Sequence, residues 1–161
     1  MADGSIRAGI QLESYKLSKI SFEVTQDMLV LAQKEHSDCE ARYQFGFRDA
    51  VRFKAEEKIC YVTGVKIELT LFDKSIEQDI ASGEFIITGL FSASGELDKD
   101  TEESLIKRQG PAILFPYIRS AISLVLTSAG FSSIILPLIN VHAATSPMDL
   151  KIKDIEPVKK S

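Results

Sequence analysis

Apolar and polar positions alternate along residues 58–72. Ile59, Tyr61, Val65, Ile67, Leu69 and Leu71 fall on one parity; Cys60, Val62, Lys66, Glu68 and Thr70 fall on the other. Successive side chains of a strand point to opposite faces, so a period of two predicts a strand with one buried face. Residues 40–53 repeat the pattern, with Tyr43, Phe45 and Phe47, then Val51 and Phe53, on one parity. Residues 17–24 do so more weakly: Ile20, Phe22 and Val24 oppose Lys19, Ser21 and Glu23, which predicts a half-buried strand. After a turn at Asp73-Lys74-Ser75, residues 76–93 read as a fourth strand with a break at Ser82-Gly83. Residues 26–39 carry no clear period, and Met28, Leu29, Leu31 and Ala32 suit a short helix from Asp27 as well as a loop.

The period changes after residue 110. Tyr117, Ala121, Leu124 and Val125 recur at helical spacing, as do Ile118, Ile122 and Leu126, and only Ser120, Ser123 and Thr127 leave a thin polar stripe. Pro116 suits a first helical position, and Gly130 suits the left-handed position that ends a helix. A helix apolar over most of its surface is covered on more than one side. Residues 131–139 hold no charge and contain Pro137, so they read as an extended apolar connection. Residues 92–109 are polar and acidic, a solvated linker with a short helix over 101–108 that Thr101 would cap.

Four strands in a run followed by a helix predict an α+β fold: a four-stranded antiparallel sheet packed against one long helix in two layers. At 161 residues the chain suits a single domain, with a flexible N-terminus over 1–10 and a polar tail over 145–161.

Composition narrows the function classes. Hydrophobic residues make up 45% and charged residues 26%, which supports a packed core and excludes global disorder. A net charge of −4 argues against a nucleic-acid surface, which needs a basic stripe. No basic segment precedes an apolar run at the N-terminus, so no signal peptide is expected. Cys39 and Cys60 lack the close spacing of zinc or redox motifs and are expected as reduced thiols in the cytoplasm. A membrane span needs about 20 unbroken apolar residues. Pro116, Arg119 and Gly130 interrupt the run here, so insertion into a membrane is not expected.

Catalytic chemistry finds few carriers. His36 and His142 are the only histidines, no metal-ligand spacing occurs, and Gly46, Gly64, Gly83 and Gly89 form no phosphate loop. His36 with Cys39 makes a forced pair; a loop histidine beside a half-buried cysteine is the simpler reading. The glycines read as bulges or points of close approach within strands. No enzyme, metal or cofactor is implied. The apolar surplus is more informative. Tyr43, Phe45 and Phe47, an almost wholly apolar helix and the 131–139 connection exceed what one helix and four strands bury. The excess fits a subunit interface, a groove for apolar ligands, or both, and a wide aromatic groove suits unfolded polypeptide, which could also add hydrogen bonds along a strand.

The run from Ile113 to Asn140 also resembles the SecB family of export chaperones. The matching residues are Leu114, Phe115, Pro116, Tyr117, Arg119, Gly130, Phe131, Leu136 and Asn140, joined by Ile20-Ser21-Phe22-Glu23 near the start. The resemblance spans residues 12–140 and implies the same two-layer fold, with residues 26–39 as an irregular crossover. It implies a homotetramer, a dimer of dimers without ATPase activity. Such a tetramer holds unfolded or presecretory polypeptides in long apolar grooves. It places client binding at Tyr43, Phe45 and Phe47, at Phe115 and Tyr117, and at Phe131 and Leu136. It also implies docking of the SecA motor through Glu23.

Two departures qualify it. Lys19 stands where the family pattern has an acid, next to the SecA-docking motif. The second amphipathic helix of the family is missing, because residues 145–161 are short, charged and interrupted by Pro147 and Pro157. Leu150, Ile152 and Ile155 suit a short strand or strap instead. Some SecB-like chaperones serve one client, such as an antitoxin, and the loss of a docking surface fits that variant.

Overall fold

A computed structural model describes residues 9–25, 39–93, 95, 97–131, 134, 136, 139–145 and 151–156. The expectations for the N-terminus over 1–8, the segment 26–38, His36, Pro137 and most of the tail lie outside the described residues. Four long strands form first: β1 (Ile10–Val24), β2 (Cys39–Ala55), β3 (Lys58–Asp73) and β4 (Gln78–Ala93). The chain continues as helix α1 (Lys99–Ser128), a short helix α2 (Val141–Thr145) and a three-residue strand β5 (Ile152–Asp154). The strand order is β1-β4-β3-β2-β5.

The sheet therefore has five strands and is mixed, not four-stranded and antiparallel. The four long strands pair antiparallel, but β5 runs parallel to β2, with Ala50 opposite Ile152 and Arg52 opposite Asp154. The sequence does suggest a short strand or strap around Ile152 and Ile155; what it does not show is that this segment joins the sheet, parallel to β2.

Parity sets the buried face on β3 and β4. Tyr61, Val65, Ile67, Leu69 and Leu71 face the helix with Phe85, Ile87 and Phe91 beside them, all essentially fully buried. On β2 a bulge between Arg48 and Val51 shifts the register. Val51 and Phe53 consequently lie on the opposite face from Tyr43, Phe45 and Phe47, contrary to the unbroken alternation read from the sequence.

Strand β1 begins seven residues earlier than predicted and carries two register shifts, between Leu12 and Ser14 and between Leu17 and Lys19. Each shift absorbs one residue. Leu12, Tyr15, Leu17, Ile20 and Phe22 are thereby paired with Phe91, Gly89, Ile87, Phe85 and Gly83, and all face the helix layer. Despite that orientation β1 is mostly exposed rather than half-buried.

Gly83 does not break β4. A Cβ there would lie 2.6 Å from the Ser21 carbonyl oxygen, so the glycine lets β1 approach. Gly89 does the same for the helix, since a Cβ would meet Leu114 Cδ2 at 2.7 Å.

Helix α1 starts well before the predicted Pro116. Asp98, not Thr101, caps it: the Asp98 carboxylate accepts from the Thr101 N–H at 2.6 Å. The acidic linker is thus the first turns of the helix. Residues Leu105–Gln109 widen into a π-turn, and the Gly110 N–H donates to the Leu105 carbonyl. Pro111 follows directly and has no N–H to give; the local widening accommodates its ring inside a continuous helix. Gly130, at φ +94, ends the helix as expected. Its N–H donates to Thr127 and that of Phe131 to Leu126, the paired bonds of a left-handed C-terminal cap. By length and composition α1 could cross a membrane, but its Leu114, Ile118, Ile122 and Leu126 stripe is buried against the sheet.

Candidate functional site

The helix lies over β3 and β4 and leaves the outer strands with partial cover. Two flanks of the helix-facing sheet surface result, and the predicted site residues divide between them.

On the β2 flank, Tyr43, Phe45 and Phe47 form a row of half-buried aromatics. Tyr43 meets Phe45 edge-on at 6.2 Å, Phe45 stacks on Phe47 at 6.2 Å, and Phe115 from the helix closes on Phe45 at 5.9 Å. Four predicted residues are therefore one contiguous cluster. Arg119 stands at its margin. Its Nη2 donates to the Leu136 carbonyl at 3.1 Å, which ties the post-helix connection to the helix. Burial pushes the Tyr43 hydroxyl up to about 12, with the Arg119 charge pulling it partly back. Neither the Tyr43 hydroxyl nor Arg119 Nε has a hydrogen-bond partner among the described residues. The row thus offers broad aromatic contact with two buried polar atoms at its edge.

The remaining predicted residues lie elsewhere. Tyr117 is on the β1 flank, its ring 4.4 Å from that of Tyr15. Phe131 is buried edge-on against Phe22 at 6.1 Å. Leu136 is also buried, so it and Phe131 present little surface to a ligand.

The β1 flank exposes Tyr15, Leu17, Ile20 and Val24, each at 40–48%, with Tyr117 and with Leu124 at 69%. Sequence reasoning named only part of this surface. The signal was present: residues 10, 12, 15, 17, 20, 22 and 24 are all apolar, spaced at two and three. Without the pairing partner, a spacing of three inside a strand is not recognisable as a bulge.

The opposite face of the sheet carries a charge-balanced patch beside the apolar Val51, Phe53, Val62 and Ile86. Lys19 pairs with Glu84 at 3.3 Å, and Lys66 reaches Glu68 at 2.9 Å and Glu84 at 3.8 Å. Glu23 is exposed beside them and shares a shallow depression with Glu68 and Glu84. Cys60 is buried on this face, and burial raises its thiol pKa, with the Glu13 charge adding to the shift, so it is no activated nucleophile. No cluster with metal-holding potential occurs among the described residues.

A third constellation was missed entirely. Glu102, on the first turns of α1, is 8% exposed. Arg52 Nη1 donates to both of its carboxylate oxygens, at 2.5 and 2.7 Å, and the Tyr61 hydroxyl donates to one at 2.6 Å. The other side of the Arg52 guanidinium donates to Asp154 at 2.6 and 2.8 Å. Hydrogen bonds to Asp154 and then Glu102 hold the Arg52 pKa far above its usual value. The network joins β2, β3, α1 and β5.

Comparison with known proteins adds a family. A family model described as Preprotein translocase subunit SecB matches residues 5–145. Among solved structures, the fold is similar to the SecB-like chaperone Rv1957 of Mycobacterium tuberculosis, in complex with a ChAD peptide from the antitoxin HigA1. The TM-score is 0.60 at 17% identity, covering 82% of this chain and 92% of that one. No curated protein matches the chain.

Proposed function

The chain belongs to the SecB family of chaperones, and from that premise we propose that it is an ATP-independent holdase, not an enzyme. It binds unfolded or presecretory polypeptides in extended form and keeps them competent for export from the cytoplasm. The observation that carries this reading is the contiguous row of Tyr43, Phe45, Phe47 and Phe115, half-open along one flank of the helix. Aromatic surface accepts many side-chain shapes without demanding one, which is what a binder of varied unfolded chains needs. Tyr117 and Phe131 lie on the β1 side, outside this row, and Leu136 is buried where Arg119 ties the connection to the helix.

The β1 flank suits a second copy of the chain. Its exposed side chains form one apolar strip on an edge strand, and an edge left open invites pairing. Burial of that strip would give a dimer, and pairing of dimers the tetramer expected of the family.

A second reading has its own support: a chaperone dedicated to one client, such as an antitoxin, without a general export role. Docking of SecA through Glu23 needs an acidic sheet face. Here Lys19 and Lys66 neutralise Glu84 and Glu68 around it. The Mycobacterium relative, solved with an antitoxin peptide, is consistent with this reading.

The test is suppression of aggregation when chemically unfolded proteins are diluted into the wild type and into Phe47→Asp. Phe47 is half-buried at one end of the row, so a charge there should be tolerated in the free protein, as circular dichroism would check, but not against a bound chain. Suppression by the wild type and its loss in the variant support the holdase. Failure of the wild type on several clients, with tight capture of one, favours the dedicated reading.

A further inference from the structure

Strand β5 occupies the outer edge of β2, and it is the one strand paired there among the described residues. Its attachment is small. Beyond the ladder of its three paired residues, the Ala50 N–H donates to the Lys151 carbonyl at 2.8 Å, and the Ile155 N–H to the Arg52 carbonyl at 2.9 Å. The Lys151 N–H donates to Asp49 Oδ1 at 3.0 Å. Two side chains add to these backbone bonds. Ile152 packs beside the fully buried Ala50, and Asp154 takes the Nε and Nη2 donors of Arg52. The Asp154 side chain remains 69% exposed.

Backbone bonds of this kind are available to any extended peptide. What is particular to β5 is an apolar residue, one spacer and a carboxylate. The receiving side is independent of β5. Ala50 belongs to the bulged part of β2, and Glu102, itself held by the Tyr61 hydroxyl, fixes Arg52 from behind. When β5 leaves, the outward fork of Arg52 stays aimed at the edge. Such a seat is pre-organised, and a planar guanidinium fork selects a carboxylate in two-point geometry.

We propose that β5 is a displaceable occupant of this seat, and that the seat takes an extended peptide, running parallel to β2, that carries an apolar residue two places before a carboxylate. β5 is then an internal competitor that a client segment of this pattern must displace. The seat adjoins the stretch of β2 that holds Phe47, Phe45 and Tyr43, so a client can engage both. That the incoming peptide is part of a client rests on the function proposed above; the seat itself does not.

The probe is a fluorescent peptide of the chain's own residues 150–156, Leu-Lys-Ile-Lys-Asp-Ile-Glu. It is titrated by anisotropy against the full-length wild type and a full-length Ile152→Ser/Asp154→Ser variant. The variant should bind at least tenfold more tightly, and a peptide with Asp154→Lys should lose at least tenfold on the variant. Equal binding by both proteins, or indifference to the charge reversal, overturns the proposal. Hydrogen exchange in the wild type is the second measurement. The Ala50 and Ile155 amides should exchange faster than those of Ile67 and Leu69; exchange only together with them means β5 opens only on global unfolding, and the proposal fails. Aggregation suppression on the same preparations separates the two ideas. Peptide binding without holdase activity leaves the seat and removes the chaperone, and the reverse outcome removes the seat alone.

Discussion

Replacing Glu102 by alanine should be among the more damaging single changes to stability, although the surrounding sequence is rich in charge. Glu102 is 8% exposed and accepts three hydrogen bonds, two from Arg52 and one from Tyr61. Removal strands the Tyr61 hydroxyl, whose residue is fully buried, at about 1–3 kcal/mol. Arg52 suffers less, because its side chain is 32% exposed and keeps Asp154. The total is about 3 kcal/mol, or about 6–12 °C in melting temperature for a chain of this size. Glu102→Gln keeps the shape but cannot accept fully from both partners, and should cost about 1–2 kcal/mol. Tyr61→Phe removes only a donor and should cost about 1 kcal/mol. The decisive comparison is the double variant. In the Tyr61→Phe background no hydroxyl is left to strand, so Glu102→Ala should cost about 1–2 kcal/mol less than in the wild type. Urea unfolding of the four proteins, followed by circular dichroism, measures all of these. Strict additivity, or a Glu102→Ala cost below about 1 kcal/mol, would refute the network as a structural joint.

Three further outcomes follow from the same geometry. Gly89→Ala places a Cβ 2.7 Å from Leu114 and 2.9 Å from Phe91, both fully buried. Overpacking of about 1–3 kcal/mol, less about 0.4–1 for the stiffer unfolded chain, should leave a net loss near 1–2 kcal/mol in the same unfolding assay. Leu17→Lys with Ile20→Lys, at positions 40% and 48% exposed, should leave the fold intact by circular dichroism while lowering the solution mass measured by light scattering. Asp154 is held below its usual carboxylate range, first by the hydrogen bond from Arg52. A depressed acid stabilises above its unfolded pKa, so the hold on β5 should be constant near neutrality. It should be lost as pH falls through the depressed value, below the ordinary 3.8, seen as exchange broadening of the Ile155 amide.

What was legible in the sequence is what repeats. The strands β2 and β3 were placed within two residues at each end because the alternation holds throughout β3 and over β2 as far as Arg48. The aromatic row on β2 was visible for the same reason. Interruptions of the period were not legible. The bulge after Arg48 reverses the facing of Val51 and Phe53, and two shifts in β1 turn seven apolar residues onto one face. Neither can be inferred without knowing the partner strand. The residues before the helix misled for a different reason. Asp98, Asp100, Glu102 and Glu103 look uniformly solvated, yet one caps the helix and another is buried by partners about 40 to 50 residues away in sequence. Pro116 suggested a helix start, but its exposed ring sits inside a helix that begins at Lys99.

The dimensions of the two layers explain why this fold carries unfinished apolar surface. Four strands spaced about 4.8 Å apart present a sheet roughly 15–20 Å wide, whereas one helix with its side chains covers about 10 Å. Helix α1 sits over the two central strands, and the gap falls on β1 and β2 alike. The flanks then differ through their side chains. On β1 the apolar residues project from an edge strand, and Leu124 extends the strip onto the helix; a regular, exposed surface of this kind suits the second copy proposed above. On β2 the aromatics are half-buried, Phe115 leans into them, and Arg119 ties the chain's own connection alongside. That flank is a partly filled trough rather than a flat strip, and its outer edge carries β5, a three-residue strand of the same chain. A trough lined by aromatics beside an edge that already accepts one short strand suits a guest polypeptide more than a second subunit. One geometric shortfall thus accounts for both the assembly and the client binding proposed for the chain, with β1 assigned to the first and β2 to the second.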